Sequence, residues 1–212
     1  MNNNGYKNHV ARFDGKNVFV EFTEDGFDID KIIVGFYRYD ENQAKGDRIK
    51  EKILIYIKDT DWFQLCYEIE MRLTMKKRIE ALKAGKNFEN LSLEIQGGTM
   101  PVDLKKQKRE RPDGKAEARL FTIIPSTLKK YDYGLRAESG PGERDENGLI
   151  VPKFVDNKPD TRIIVPVTHS QLVSATKKVN MKLQAYYTTQ ELKYQMNKAR
   201  YQKNDPRNGY EG

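Results

Sequence analysis

The chain has 212 residues, of which 37% are hydrophobic and 33% charged, enough for one ordinary domain or two small packed halves with a thin core and a densely charged surface. No segment approaches the uncharged apolar length of a membrane span, the N-terminal MNNNGYKNHVARFDG lacks the apolar region of a secretory signal, and the single cysteine, Cys66, excludes a disulfide within the chain. A net charge of +7 with 12 Tyr and 9 Phe directs attention to nucleic acid, whose phosphates attract cations and whose bases stack on rings.

Residues 1–15 read as a flexible leader. After the turn Gly15-Lys16-Asn17, residues 18–22 form a strand with Val18, Val20 and Phe22 on one face and Phe19 on the other. A turn at Glu24-Asp25-Gly26 leads to a strand over 31–39, where Ile32, Val34 and Phe36 alternate with Ile33, Gly35, Tyr37 and Tyr39. The polar run 40–50, containing Gly46, is a hairpin loop. From Lys52 the alternation resumes, with Ile53, Ile55 and Ile57 set against Lys52, Tyr56 and Lys58. At Asp59-Thr60-Asp61 the period becomes helical: Trp62, Leu65, Cys66, Ile69 and Leu73 make one apolar stripe, and each of the three polar residues is suited to capping it. The helix is expected to continue through Lys76-Lys77-Arg78 to Ile79 and Leu82, ending at Gly85.

A second half, 88–193, follows the first, 16–85. Leu91, Leu93 and Ile95 alternate until Gly97-Gly98 breaks the strand. Residues 101–114, PVDLKKQKRERPDG, read as a basic loop closed by a Pro-Asp-Gly turn. Strands are expected over 116–124 and 131–138, then a flexible loop over 140–148 and a short edge strand over 149–155 that holds Pro152. The run RIIVPVTHSQLVSATKKV, 162–179, then repeats the grammar of KILIYIKDTDWFQLCYEI, 52–69, at an offset of 110 residues. Ile163, Val165 and Val167 match Ile53, Ile55 and Ile57; Leu172 matches Trp62 and Val179 matches Ile69. Helical pattern persists through Leu192 and Met196, and 194–212 reads as a basic flexible tail stopped by Asp205-Pro206.

Catalytic chemistry has little to stand on. There are two histidines; His9 sits in the leader and His169 reads as a first-turn helix residue. One Cys and two scattered His do not make a metal cluster of usual spacing, and neither GxxxxGK[ST] nor GxGxxG occurs. The expectation is a non-enzymatic protein without cofactor or metal, with a carboxylate–Mg²⁺ nuclease as a lower-ranked alternative.

Binding chemistry is richer. If the isoleucines face the helix, then Phe19, Tyr37, Tyr39, Lys52, Tyr56 and Lys58 share the opposite sheet face, as a platform for bases or as a packing surface. Lys105, Lys106, Lys108, Arg109 and Arg111 form the densest basic run, which as a hairpin extension would arch over a bound strand. Arg162, at the start of the last strand, completes the nucleic-acid-binding set.

Strands followed by a helix, twice over, with closing segments IYIKDTDWFQLCYEIE and VPVTHSQLVSATKKV, resemble the whirly proteins and their relatives in the transcriptional positive cofactor four group, phage and bacterial members included. The resemblance covers pattern over residues 16–187. It implies an α+β fold of duplicated antiparallel ββββα-like units that binds single-stranded DNA across its sheets, generally as a homo-oligomer. An OB-fold is the alternative architecture. The second half carries an extra strand or long hairpin, and no stretch matches the whirly DNA-binding motif. The expected role is binding of single-stranded DNA, with RNA left open, in replication, recombination or DNA transfer, alongside proteins of those processes and away from membranes. The setting implied is the cytoplasm of a bacterium or infected host cell, for a phage or plasmid protein. The alternative is a structural or protein-interaction subunit of a phage or mobile element.

Overall fold

Side chains alternate in or out along nine strands among the described residues and group into stripes along the helices, so that two antiparallel sheets and the longer helices share one main core. The structure, a computed structural model, describes residues 8–44 and 46–203. The first sheet is a meander in the order β1 (His9–Asp14), β2 (Val18–Thr23), β3 (Lys31–Tyr39) and β4 (Ile49–Lys58), followed by α1 (Asp59–Glu70) and α2 (Leu73–Lys83). The second sheet contains β5 (Ile95–Thr99), β6 (Ala116–Pro125), β7 (Tyr133–Arg144), β8 (Ile150–Pro152) and β9 (Thr161–Val167), with α3 (Pro101–Lys106) between β5 and β6 and α4 (His169–Lys203) after β9. The long β7 pairs along one half with β9 and at its other end with β8.

The inner face of the first sheet carries Val20, Phe22, Ile32, Val34, Phe36, Ile53, Ile55 and Ile57. Facing them are Phe121, Ile123, Tyr133, Leu135, Ala137, Ile163, Val165 and Val167 of the second. The rings of Phe36 and Phe121 meet across the divide at 5.8 Å between centroids. α1 buries Trp62, Leu65, Cys66 and Ile69, and α4 buries Leu172, Ala175, Thr176 and Val179, so burial recurs residue for residue at the 110-residue offset. Each fully buried Leu or Ile adds about 1.5–3 kcal/mol. The Trp62 indole N–H donates to Asn180 Oδ1 at 2.8 Å and ties the two helices together.

Several expectations are corrected. Residues 9–14 of the expected leader form β1, paired with β2 through an irregular register between His9 and Ala11; residues 1–7 lie outside the described residues. α1 starts directly from β4, with Lys58 at its N-cap position and no side-chain cap, so Asp59 and Asp61 occupy the first turn and favour the helix dipole instead. The long helix breaks at Arg72, whose φ is +58°. That break turns α2 onto the second sheet, where the Thr74 and Tyr133 hydroxyls meet at 3.3 Å and Arg78 Nε donates to the Asp132 carbonyl at 2.7 Å.

Gly97 and Gly98 lie inside β5, because pairing with β6 holds them extended. Residues 101–106 are helical, with Pro101 in the first turn and Leu104 buried. β7 runs through Gly140-Pro141-Gly142, where a loop was expected. α4 reaches Lys203, past the expected start of the tail at 194; Asp205-Pro206 and the rest of 204–212 lie outside the described residues. No helix among the described residues is long and apolar enough to cross a membrane.

Candidate nucleic-acid interface

Because Ile53, Ile55 and Ile57 point inward, the alternate residues of β4 and their neighbours build the outer face of the first sheet. Cross-strand register places Phe19 beside Tyr37 and Tyr37 beside Lys52. Phe19 and Tyr37 stack with centroids 4.6 Å apart and planes 13° from parallel. That distance matches the ~4.8 Å between strands, so the rings stand on edge, one face against the other. Arg12 Cζ lies 3.7 Å from the Phe19 centroid and Lys52 Nζ 5.3 Å from that of Tyr37, completing a cation–ring–ring–cation row over four strands. The edge of Tyr37 settles over Gly35, where a Cβ would come within 2.6 Å of Cε2. Burial, reinforced by a hydrogen bond to Glu21, holds the Tyr37 hydroxyl above the usual tyrosine range.

Phe19 and Tyr37 thus occupy the expected face, but they spend their π-surfaces on each other and on the flanking cations. Phe19 is buried. Tyr39 leans on Phe19 with centroids 5.9 Å apart and stays partly exposed. Tyr56, 41% exposed, is the ring on this face most open to a ligand.

The same face drops at β4 into a groove of about 810 Å³ between the edges of the two sheets. Lys31, Lys52 and Lys58 stand on the first-sheet side with Tyr56 and Leu54, and Arg109 and Arg119 on the second, with the Gly97-Gly98 edge of β5 between. Asp61 is the acidic residue on its lining. Lys31, Lys52 and Lys58 make no salt bridge among the described residues.

The two arginines are held by a half-buried carboxylate. Arg119 Nη2 donates to Glu117 Oε2 at 2.6 Å and to Thr99 Oγ1 at 2.9 Å. Arg109 Nη2 reaches both Glu117 oxygens at 3.2 Å, and Ser139 Oγ donates to Oε1 at 3.0 Å. Burial alone would raise the Glu117 pKa, but Arg119, Arg109 and Ser139 outweigh it and keep the carboxyl below its ordinary range. Two guanidinium groups against one carboxylate leave this wall one positive charge in excess.

Of the residues expected from the sequence, Lys52, Tyr56, Lys58 and Arg109 come together in the groove. Phe19, Tyr37 and Tyr39 adjoin them through the Lys52–Tyr37 contact, and the others are dispersed. Lys105 and Lys106 belong to a short helix and not to a hairpin arm, and Lys106 pairs with Asp103 at 2.9 Å. Lys108 is exposed just beyond it. Arg111 bonds Asp113 at 2.7 Å and Asp160 at 2.6 Å, which, with the Asp113 bond foremost, raises its pKa and commits it to structure. Arg162 lies on the outer face of the second sheet, bonded to Glu138, while its carbonyl accepts from Arg38 at 2.7 Å.

Sequence reading missed Lys31 and Arg119. Lys31 faces Lys58 across the β3–β4 register, which no local pattern reveals. Arg119 did carry a signal, a charge in phase with the core residues Phe121 and Ile123. His169 opens α4, as expected, with Nδ1 3.1 Å from the Tyr133 hydroxyl. Cys66 is buried, which pushes its thiol pKa up to about 12. No group of three or more His, Cys, Asp or Glu is arranged to hold a metal ion among the described residues.

No family model, curated protein or solved structure matches the chain. The functional reading rests on side-chain chemistry alone.

Proposed function

We propose that the protein binds single-stranded nucleic acid in the groove between β4 and β5, without catalysing a reaction on it. One observation carries this reading: Lys31, Lys52, Lys58, Arg109 and Arg119 converge on one groove beside the exposed ring of Tyr56, with Asp61 as the acid on its lining. Cations spaced along a groove neutralise a phosphate backbone, while an open ring stacks any base, so binding carries little sequence preference. A whirly-like duplication of a sheet closed by a helix belongs to this proposal, as does a role on single-stranded intermediates of replication, recombination or transfer.

Fluorescence anisotropy with labelled oligo-dT and a duplex of equal length, at several salt concentrations, tests it. The expected result is preference for oligo-dT, with log K falling against log salt at a slope of up to about −3.5 if all five cations meet phosphates. Absence of binding at low salt, or preference for duplex, overturns the proposal. A second reading draws on the open edges of β4 and β5, which suit an extended peptide strand. Saturable binding of a partner polypeptide with none of oligo-dT would select it.

A further inference from the structure

β5 contains two adjacent glycines that the fold uses differently. Gly35, Gly98, Gly134, Gly140 and Gly142 all lie in strands where a Cβ would come within 3.0 Å of another atom. At Gly98 the obstacles are Ile150 Cγ2 at 2.4 Å and the Glu117 carbonyl at 2.6 Å. Gly97 differs: a Cβ there would meet nothing within 4 Å, and its φ lies outside the left-handed range that favours glycine. Neither packing nor backbone conformation demands a glycine at 97. A glycine weakens a strand, and in a strand interior it commonly marks the close approach of a ligand or another backbone.

The bare backbone of Gly97 lies in the groove wall, paired in register with Arg119 and sharing the groove with Tyr56. We infer that Gly97 is the seat of one unpaired nucleobase, which rests flat on the β5 backbone with Tyr56 beside it and its phosphate toward Arg109 and Arg119. This seat rests on the nucleic-acid reading and adds to it where a base is held and why residue 97 has no side chain. A side chain at 97 leaves the protein intact and fills the space of the base.

The test compares wild type, Gly97→Val, Gly97→Ala and Gly98→Val by melting temperature and by anisotropy against oligo-dT and an abasic oligonucleotide of equal length. Wild type is expected to bind oligo-dT more tightly than the abasic strand. Gly97→Val keeps or raises the melting temperature and keeps the abasic affinity but loses about 5- to 150-fold on oligo-dT, the worth of one stacked base. Gly97→Ala, with its single methyl, loses part of that and supplies the readout if valine perturbs the strand. Gly98→Val lowers the melting temperature, because its side chain meets Ile150. Wild-type affinity of both Gly97 variants for oligo-dT removes the seat and leaves the nucleic-acid reading standing, and so does equal wild-type affinity for the two oligonucleotides. A wild type that binds neither oligonucleotide overturns both.

Discussion

The outer faces of the two sheets use their cations differently. On the second sheet Arg162 and Arg136 both reach the buried Glu138, and Arg136 also donates to Thr122 at 2.9 Å, so each guanidinium is tied to a partner on its own sheet. On the first sheet Lys31, Lys52 and Lys58 stand on the groove and make no salt bridge among the described residues. The inner faces match in pattern, Ile53, Ile55 and Ile57 corresponding to Ile163, Val165 and Val167. A common strand-and-helix plan constrains only the side that meets the core; the other side is free to tie its charges to one another or to leave them open.

The comparison breaks most visibly at the helices. Trp62→Ala should lower stability by about 3–5 kcal/mol and Leu172→Ala by about 2–5, measured by urea unfolding. Because both side chains lie in one core, each variant should unfold in a single transition. Two separated transitions would mean the halves are independent.

Next in size is the contrast between the two faces. Replacing Lys52 and Lys58 together with alanine should flatten the salt dependence of single-strand binding by about 1.4, two phosphate contacts, while the melting temperature holds. Arg162→Ala should do the reverse. Affinity stays within about twofold, but stability falls by about 1–3 kcal/mol as buried Glu138 loses a partner. Equal binding losses from the two variants would show that the faces are not functionally distinct.

The smallest effect concerns the latch between the middle of α4 and the first half. Tyr187 donates to Asp59 Oδ2 at 3.1 Å, and burial together with that bond pushes its pKa up to about 12. The folded value lies above the ordinary ~10 for tyrosine, so this contribution is complete below pH 10 and disappears between pH 10 and 12. Tyr187→Phe should lack that alkaline loss, a difference of less than about 1 kcal/mol, visible in melting temperatures recorded across that range. An identical alkaline decline in both proteins would rule the latch out.

The segments 52–69 and 162–179 were legible because each sets a two-residue alternation directly before a helical stripe. β1 was not, since apolar Val10 and Ala11 sit side by side where its register shifts and spoil the alternation. β5 was hidden by its glycines, whose local preference says turn while the ladder to β6 imposes a strand. α3, six residues long, offers too few turns for a period to emerge. The cationic character of the first outer face could be read from Lys52 and Lys58. The groove could not, because it arises where edges distant in sequence approach and brings Lys31 and Arg119 to residues that share no local pattern with them.

The single core also constrains how the chain can be made. β1 and β2 lie against β9, and Phe36 against Phe121, partners far along the sequence. While the ribosome is still producing the middle of the chain, Phe22 has Trp62 of α1 beside it, but Phe36 lacks the Phe121 ring it meets in the finished fold. Such long-range pairing raises contact order and slows folding, so the nascent first half waits with an apolar sheet only partly covered by α1, the kind of surface that chaperones exist to shield.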